Sequence, residues 1–125
     1  ATIKYNRLIG VGRSNGIYNG ASNQNAVVSN NYIEIYGGNS SNSLSAYYGI
    51  IAHDSTIEED TLFITNSGHD QDTGGILADR SIIRGNVVDV NDSNCGWAKY
   101  GRAIQSYGDE NNRPSIEDNT IITGS

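Results

Sequence analysis

The chain has little of what holds small disulfide-rich folds or helical bundles together. Of its 125 residues one is Cys, one is Pro and none is Met. A single Cys95 excludes an internal disulfide framework. Leu, Lys, Glu and Gln are all few, which leaves little to build long helices. Lys and Arg together number 8 against 14 Asp and Glu, so the net charge is −6. No basic patch of any length is present, and nucleic-acid binding through phosphate neutralisation is not expected. No apolar run approaches the length of a membrane span, so no membrane insertion is expected. No targeting segment is read, and Ala1 in place of Met reads as a processed chain or a piece of a longer one.

What is there is Gly (15), Asn (16) and Ser (14), more than a third of the chain, beside abundant Ile, Val, Thr and Tyr. Such a load can signal disorder, but the hydrophobic residues are 36% and strongly periodic, which excludes that reading. The composition favours short strands joined by many turns.

One pattern recurs five times: an apolar residue, two residues, Asn or Asp, then alternating apolar positions. It reads Ile3 to Leu8, Val28 to Ile35, Ile57 to Ile64, Ile83 to Val90 and Ile116 to Ile121. The leading residues are 25, 29, 26 and 33 positions apart. A period in that range predicts a solenoid. A second element begins Gly16-Ile17, Gly49-Ile50, Gly75-Ile76 and, degenerately, Ala103-Ile104. The runs are too short for helices and alternate with period two. Stacked at about 4.8 Å per turn, they predict an all-β, parallel β-helix of about 4–5 coils, spanning residues 1–125 as one segment.

In such a fold equivalent residues stand above one another in columns. Leu8, Ile33, Leu62, Val88 and Ile121 are expected to point inward. Asn6, Asn31, Asp60, Asn86 and Asn119 fall at a turn and form a structural ladder of stacked side chains. Glu58, Arg84 and Glu117 place opposite charges on successive turns. A less uniform polar column runs Gly20, His53, Asp79 and Tyr107, with Asp54 and Arg80 one step on, and reads as surface or site.

The repeat is broken in three connections, 36–48, 65–74 and 91–101, expected to project from one edge. Loops on a rigid scaffold usually carry function. They offer Tyr47, Tyr48, His69, Trp97, Lys99 and Tyr100, a set of rings and polar groups suited to a polysaccharide. Asp70 or Asp72 with Asp92 supplies the paired carboxylates that glycoside hydrolysis needs, about 5–5.5 Å or about 6.5–9.5 Å apart. A lyase would instead use His69, Lys99 or Arg102 as base. His69, Asp70 and Asp72 offer hard donors for Ca²⁺ without the spacing of a known calcium loop, and no other cofactor is expected.

The units Gly49-Ile-Ile-Ala-His-Asp-Ser-Thr-Ile-Glu-Glu-Asp60 and Gly75-Ile-Leu-Ala-Asp-Arg-Ser-Ile-Ile-Arg-Gly-Asn86 resemble the right-handed parallel β-helix repeat of the pectin-lyase-like superfamily. That superfamily includes pectate lyases, polygalacturonases, alginate epimerases, bacteriophage tailspike depolymerases and adhesins. The acidic, disulfide-free chain with Tyr/Asn/Gly-rich loops is most similar to a tailspike segment. The resemblance implies polysaccharide recognition with or without cleavage, a virion or extracellular setting, and a homotrimer as the assembly to look for. The alternative is a non-catalytic structural or adhesin segment. The polygalacturonase motifs are absent, so the resemblance transfers no catalytic residue.

Overall fold

The computed structural model describes residues 1–11, 16–20, 25–36, 47–65, 73–91 and 101–124. Among them no helix occurs; 14 strands form three parallel sheets. The chain passes through the sheets in a fixed order. The first pass is β1 (Thr2–Lys4), β2 (Arg7–Val11) and β3 (Ile17–Asn19); the second is β4 (Val27–Ser29), β5 (Tyr32–Tyr36) and β6 (Tyr47–His53). The third is β7 (Thr56–Glu58), β8 (Thr61–Thr65) and β9 (Thr73–Asp79); the fourth is β10 (Ile82–Arg84), β11 (Val87–Asn91) and β12 (Gly101–Tyr107). The last holds β13 (Ser115–Glu117) and β14 (Thr120–Gly124). Sheet A is β1-β4-β7-β10-β13, sheet B is β2-β5-β8-β11-β14, and sheet C is β3-β6-β9-β12.

The strand registers align the repeat residue by residue. Ile3, Val28, Ile57, Ile83 and Ile116 form one apolar column through sheet A. Leu8, Ile33, Leu62, Val88 and Ile121 form a second through sheet B, as the alternation predicts. Ile17, Ile50, Ile76 and Ile104 form the third, through sheet C. Their central members are fully buried and meet in one hydrophobic cluster. Each such side chain removed from water contributes about 1.5–3 kcal/mol. The last members, Ile116 and Ile121, are each 51% exposed, so the core is densest in the second to fourth passes.

The corner between sheets A and B repeats in every pass. Tyr5, Asn30, Glu59, Gly85 and Asp118 all take positive φ, between 54° and 65°, and turn the chain out of sheet A. The next residue is the Asn/Asp column, and it builds the expected ladder. Asn6 N and Nδ2 donate to Asn31 Oδ1 at 3.1 and 2.9 Å. Asn31 N and Nδ2 both donate to Asp60 Oδ1 at 2.8 Å. The Asp60 amide donates to Asn86 Oδ1 at 2.9 Å, and Asn86 N and Nδ2 donate to Asn119 Oδ1 at 3.0 Å. These bonds satisfy corner amides that would otherwise be buried without partners. In the charge column, Arg84 Nη2 lies 2.7 Å from Glu58 Oε2.

The strands claim more than the composition suggests. Tyr36, Tyr47, Tyr48, Thr65, Thr73, Gly74, Asn91 and Gly101 belong to strands, so the connections between sheets B and C narrow to 37–46, 66–72 and 92–100. The cause is in-register pairing: Tyr36, Thr65, Asn91 and Gly124 stack in one ladder, and Tyr47, Thr73 and Gly101 in another. In-register pairing, on both sides for Gly74 and Asn91 and on one side for Gly101, outweighs the weak strand preference of Gly and Asn.

Sheet C contains a bend. Its partners run Tyr48 to Gly74, then Ile50 to Ile76, passing over Gly49 and Gly75. A side chain at Gly75 would run into Val88 and the Ala103 carbonyl, and one at Gly49 into Leu62. Both positions therefore face the core, as do the isoleucines that follow them. Two successive inward residues interrupt the alternation at the same point of neighbouring strands, with no residue gained or lost in the register, so Tyr48 takes the facing opposite to the one strict alternation gives it. Gly75→Ala is expected to destabilise the fold by about 1–3 kcal/mol through overpacking. Gly20→Ala, whose added methyl would meet only the Tyr18 ring at 3.6 Å, should be neutral by comparison. Urea unfolding of the two variants checks this; equal midpoints would contradict it.

Candidate functional site

The outer face of sheet C gathers the polar column that the repeat leaves irregular. The interrupted alternation at Gly49 and Gly75 puts the buried Tyr48 on the outer side of the sheet, and alternation points Ile51, Leu77 and Gln105 outward, in line with Tyr18. Two residues further on stand His53, Asp79 and Tyr107, again in register. Together Ile51, Leu77, His53, Asp79 and Tyr107 line a mostly apolar depression of about 300 Å³. Tyr107 is 53% exposed at its edge, and Tyr18 is 66% exposed at the far end of the sheet. Three strand spacings of about 4.8 Å separate the strands that carry these two rings. The Gln105 amide donates to the Tyr107 hydroxyl.

At the corner where sheet C hands over to sheet A, Asp54 and Arg80 both take positive φ, 45° and 48°. That conformation stacks them on successive passes. Arg80 Nε donates to Asp54 Oδ1 and Nη2 to Asp54 Oδ2, each at 2.9 Å, a bidentate fork. Arg80 Nη1 reaches Asp79 Oδ2 at 2.7 Å, and His53 Nδ1 stands 3.5 Å from the same oxygen. The Arg80 hydrogen bonds hold the Asp54 carboxyl below its ordinary value, and Asp54 in turn raises that of Arg80. Beneath this corner Ser55 and Ser81 cap the turn: Ser81 Oγ accepts from the Ser55 amide at 3.1 Å and donates to the Asp79 carbonyl at 2.8 Å. The arrangement can present a fixed guanidinium, a shared carboxylate and an imidazole beside an apolar trough. Asp54 and Asp79 both spend oxygens on Arg80, an arrangement that suits binding better than proton donation.

Sheet B carries a second outward cluster that the loop-centred reading missed. The Tyr32 hydroxyl donates to Glu34, the Tyr36 hydroxyl donates to the other Glu34 oxygen at 2.8 Å, and these bonds hold the carboxyl low. Tyr32 packs against Phe63 at 5.7 Å between centroids, tilted 52°, and the Arg7 guanidinium sits 5.6 Å from the centre of the Tyr32 ring. The signal was available: these residues occupy outward positions on adjacent strands of the same column set. Here the carboxylate already accepts from two hydroxyls, and the rings cover one another, so this cluster reads as a packed outer face.

Of the residues proposed from sequence, Asp70, Asp72, Asp92, His69, Trp97, Lys99 and Tyr100 lie outside the described residues. Tyr47 opens β6. Tyr48 is 4% exposed, and its hydroxyl donates to Gln105 Oε1 at 3.2 Å, which links the loop end of sheet C to the Tyr107 end. The polar column His53, Asp79 and Tyr107 comes together as a surface, with Asp54 and Arg80 beside it. Among the described residues no group of three His, Cys, Asp or Glu stands together to hold a metal ion. The calcium candidate at 69–72 falls outside them. Comparison with family models, with curated proteins and with solved structures gives no match.

The fork at Arg80 has a consequence for acid stability. Asp54 has a depressed folded-state value, so its contribution is present above the ordinary carboxylate range and is lost as pH falls below it. Arg80→Met removes the cause. It is expected to lower the melting temperature at neutral pH and to flatten the decline as pH falls below the ordinary carboxylate range. Thermal unfolding followed by circular dichroism checks this, and parallel acid limbs in the two proteins would contradict it.

Proposed function

We propose that the chain is a segment of a right-handed parallel β-helix of the tailspike-like kind, and that it recognises polysaccharide along the outer face of sheet C. Three parallel sheets entered in one fixed order, with every core column in register, support the β-helix. Their cyclic order matches one sheet for each side of a coil. The observation that carries the functional reading is the apolar trough of Ile51 and Leu77, bounded by the exposed ring of Tyr107 and in line with that of Tyr18. Sugar rings present C–H faces to such surfaces and hydroxyls to groups like Gln105, His53 and Asp79. A rigid sheet holds these side chains at fixed spacing, which lowers the entropy lost on binding.

Recognition is favoured over cleavage at this face. A general acid must hold a proton near neutral pH, whereas Asp54, beside the trough, is held low by Arg80. Cleavage is assigned to no described carboxylate. Asp70, Asp72 and Asp92 lie outside the described residues and are the residues to mutate for hydrolysis or elimination.

A panel of bacterial capsular and lipopolysaccharide glycans, assayed by titration calorimetry, tests the reading. At least one glycan should bind, and Tyr18→Ala and Tyr107→Ala should each weaken it roughly tenfold, about 1.4 kcal/mol, without loss of the strand signal. Absence of binding to any glycan, or unchanged affinity in both variants, would overturn it. Released oligosaccharide in the same mixtures would add cleavage to recognition.

A further inference from the structure

Four members of the corner ladder are Asn, and one, Asp60, is an acid. The difference falls on a single atom. In Asn31, Asn86 and Asn119 the side-chain Nδ2 donates to a main-chain carbonyl of the preceding pass, that of Ile3, Ile57 and Ile83 respectively, each at 3.0 Å. These acceptors are successive members of the leading apolar column, and the corresponding member for Asp60 is Val28. Asp60 Oδ1 fills the role of a ladder oxygen, accepting from Asn31 N and Nδ2 at 2.8 Å. Asp60 Oδ2 therefore takes the place of the donating Nδ2. It is buried and has no hydrogen-bond partner, in a residue only 1% exposed. An ionised oxygen there would face carbonyl lone pairs without water between them, which is costly. A protonated one has an O–H to give to the same carbonyl that Asn would use.

We propose that Asp60 is a proton latch in the ladder: its Oδ2–H donates to the Val28 carbonyl, and loss of that proton loosens the corner joining the second and third passes. The surrounding charges favour the neutral form. Glu58 and Glu59, on the same pass, both repel an ionised Asp60. Glu58 is paired with Arg84 of the next pass, at 2.7 Å. The facing corner of the pass before offers Ser29, Asn30 and Asn31, and that of the pass after offers Gly85 and Asn86, none of them charged. Burial, the largest effect, pushes the Asp60 carboxyl from 3.8 up to about 6, against the two hydrogen bonds from Asn31. The folded state then keeps a proton that the unfolded chain has lost. Stability therefore falls as pH rises from 3.8 to about 6, and is level above that window. This is opposite in sign to the Asp54 effect, which acts at lower pH.

Melting temperatures of the wild type and Asp60→Asn across about pH 4 to about pH 8, with the Asp60 carboxyl titrated by carbon-13 NMR in the wild type, test the latch. Asn restores the missing donor, so Asp60→Asn should melt roughly 5 °C higher at neutral pH, and the gap should close toward the acid end. The Asp60 carboxyl should titrate near about 6. Parallel melting curves, a variant that melts at or below the wild type at neutral pH, or an Asp60 midpoint in the ordinary carboxylate range would each overturn it.

Discussion

The corner between sheets A and B is the constraint on which the rest of the structure depends. A residue at positive φ turns the chain, and the Asn or Asp after it binds the next pass through side chain and main chain together. The offset across this corner is invariant: Ile3 to Leu8, Val28 to Ile33, Ile57 to Leu62, Ile83 to Val88, Ile116 to Ile121. Slippage of one strand by a single residue would turn Ile33 or Leu62 out of the core. The ladder opposes that slip, because each side-chain oxygen receives donors from one particular residue of the neighbouring pass. Passes of unequal length thus keep common columns, and the variation collects at the junctions on either side of sheet C.

That division of labour orders the chemistry. Sheets A and B hold register and core, and their outward groups are largely paired with one another, as Arg84 with Glu58 and Glu34 with two tyrosines. Sheet C lies between the variable junctions and carries the trough. The interrupted alternation at Gly49 and Gly75 puts the buried Tyr48 on the outer side of the sheet, where its hydroxyl meets Gln105 and extends a polar line toward Tyr107. The Arg80 fork then fixes the far end of the same face.

Much of this was legible in the chain itself. The leading apolar column and the Asn/Asp column follow from spacing alone, because residues that must stack across parallel strands repeat in kind. The column of His53, Asp79 and Tyr107 was visible for the same reason, as a register that keeps its polarity and loses its identity. The bidentate contact was not, since it depends on Asp54 and Arg80 both adopting positive φ, which neither residue type announces. The orientation of Tyr48 was hidden by the two successive inward positions, Gly49 and Ile50: strict alternation from Ile50 would send it inward. The cluster of Tyr32, Glu34, Tyr36 and Phe63 is not marked by the repeat, because outward positions need not recur in kind from pass to pass and its contacts join different residue types on adjacent strands. The place of Asp60 in the column marks it as scaffold, but its lone acid among four amides holds more information than that place. The residues proposed for catalysis lie in segments where the repeat is broken, and there neither periodicity nor column logic assigns a position.

Hydrogen exchange at the ladder amides tests the corner most directly. The backbone N–H groups of Asn31, Asp60 and Asn86 donate to side-chain oxygens of the following pass, in the most buried part of the molecule. They should be among the slowest-exchanging amides, opening only with the strands they join. Exchange as fast as that of the exposed Asn111 and Asn112 amides, which bond only to Asp109 nearby, would show that the ladder does not hold the passes in register.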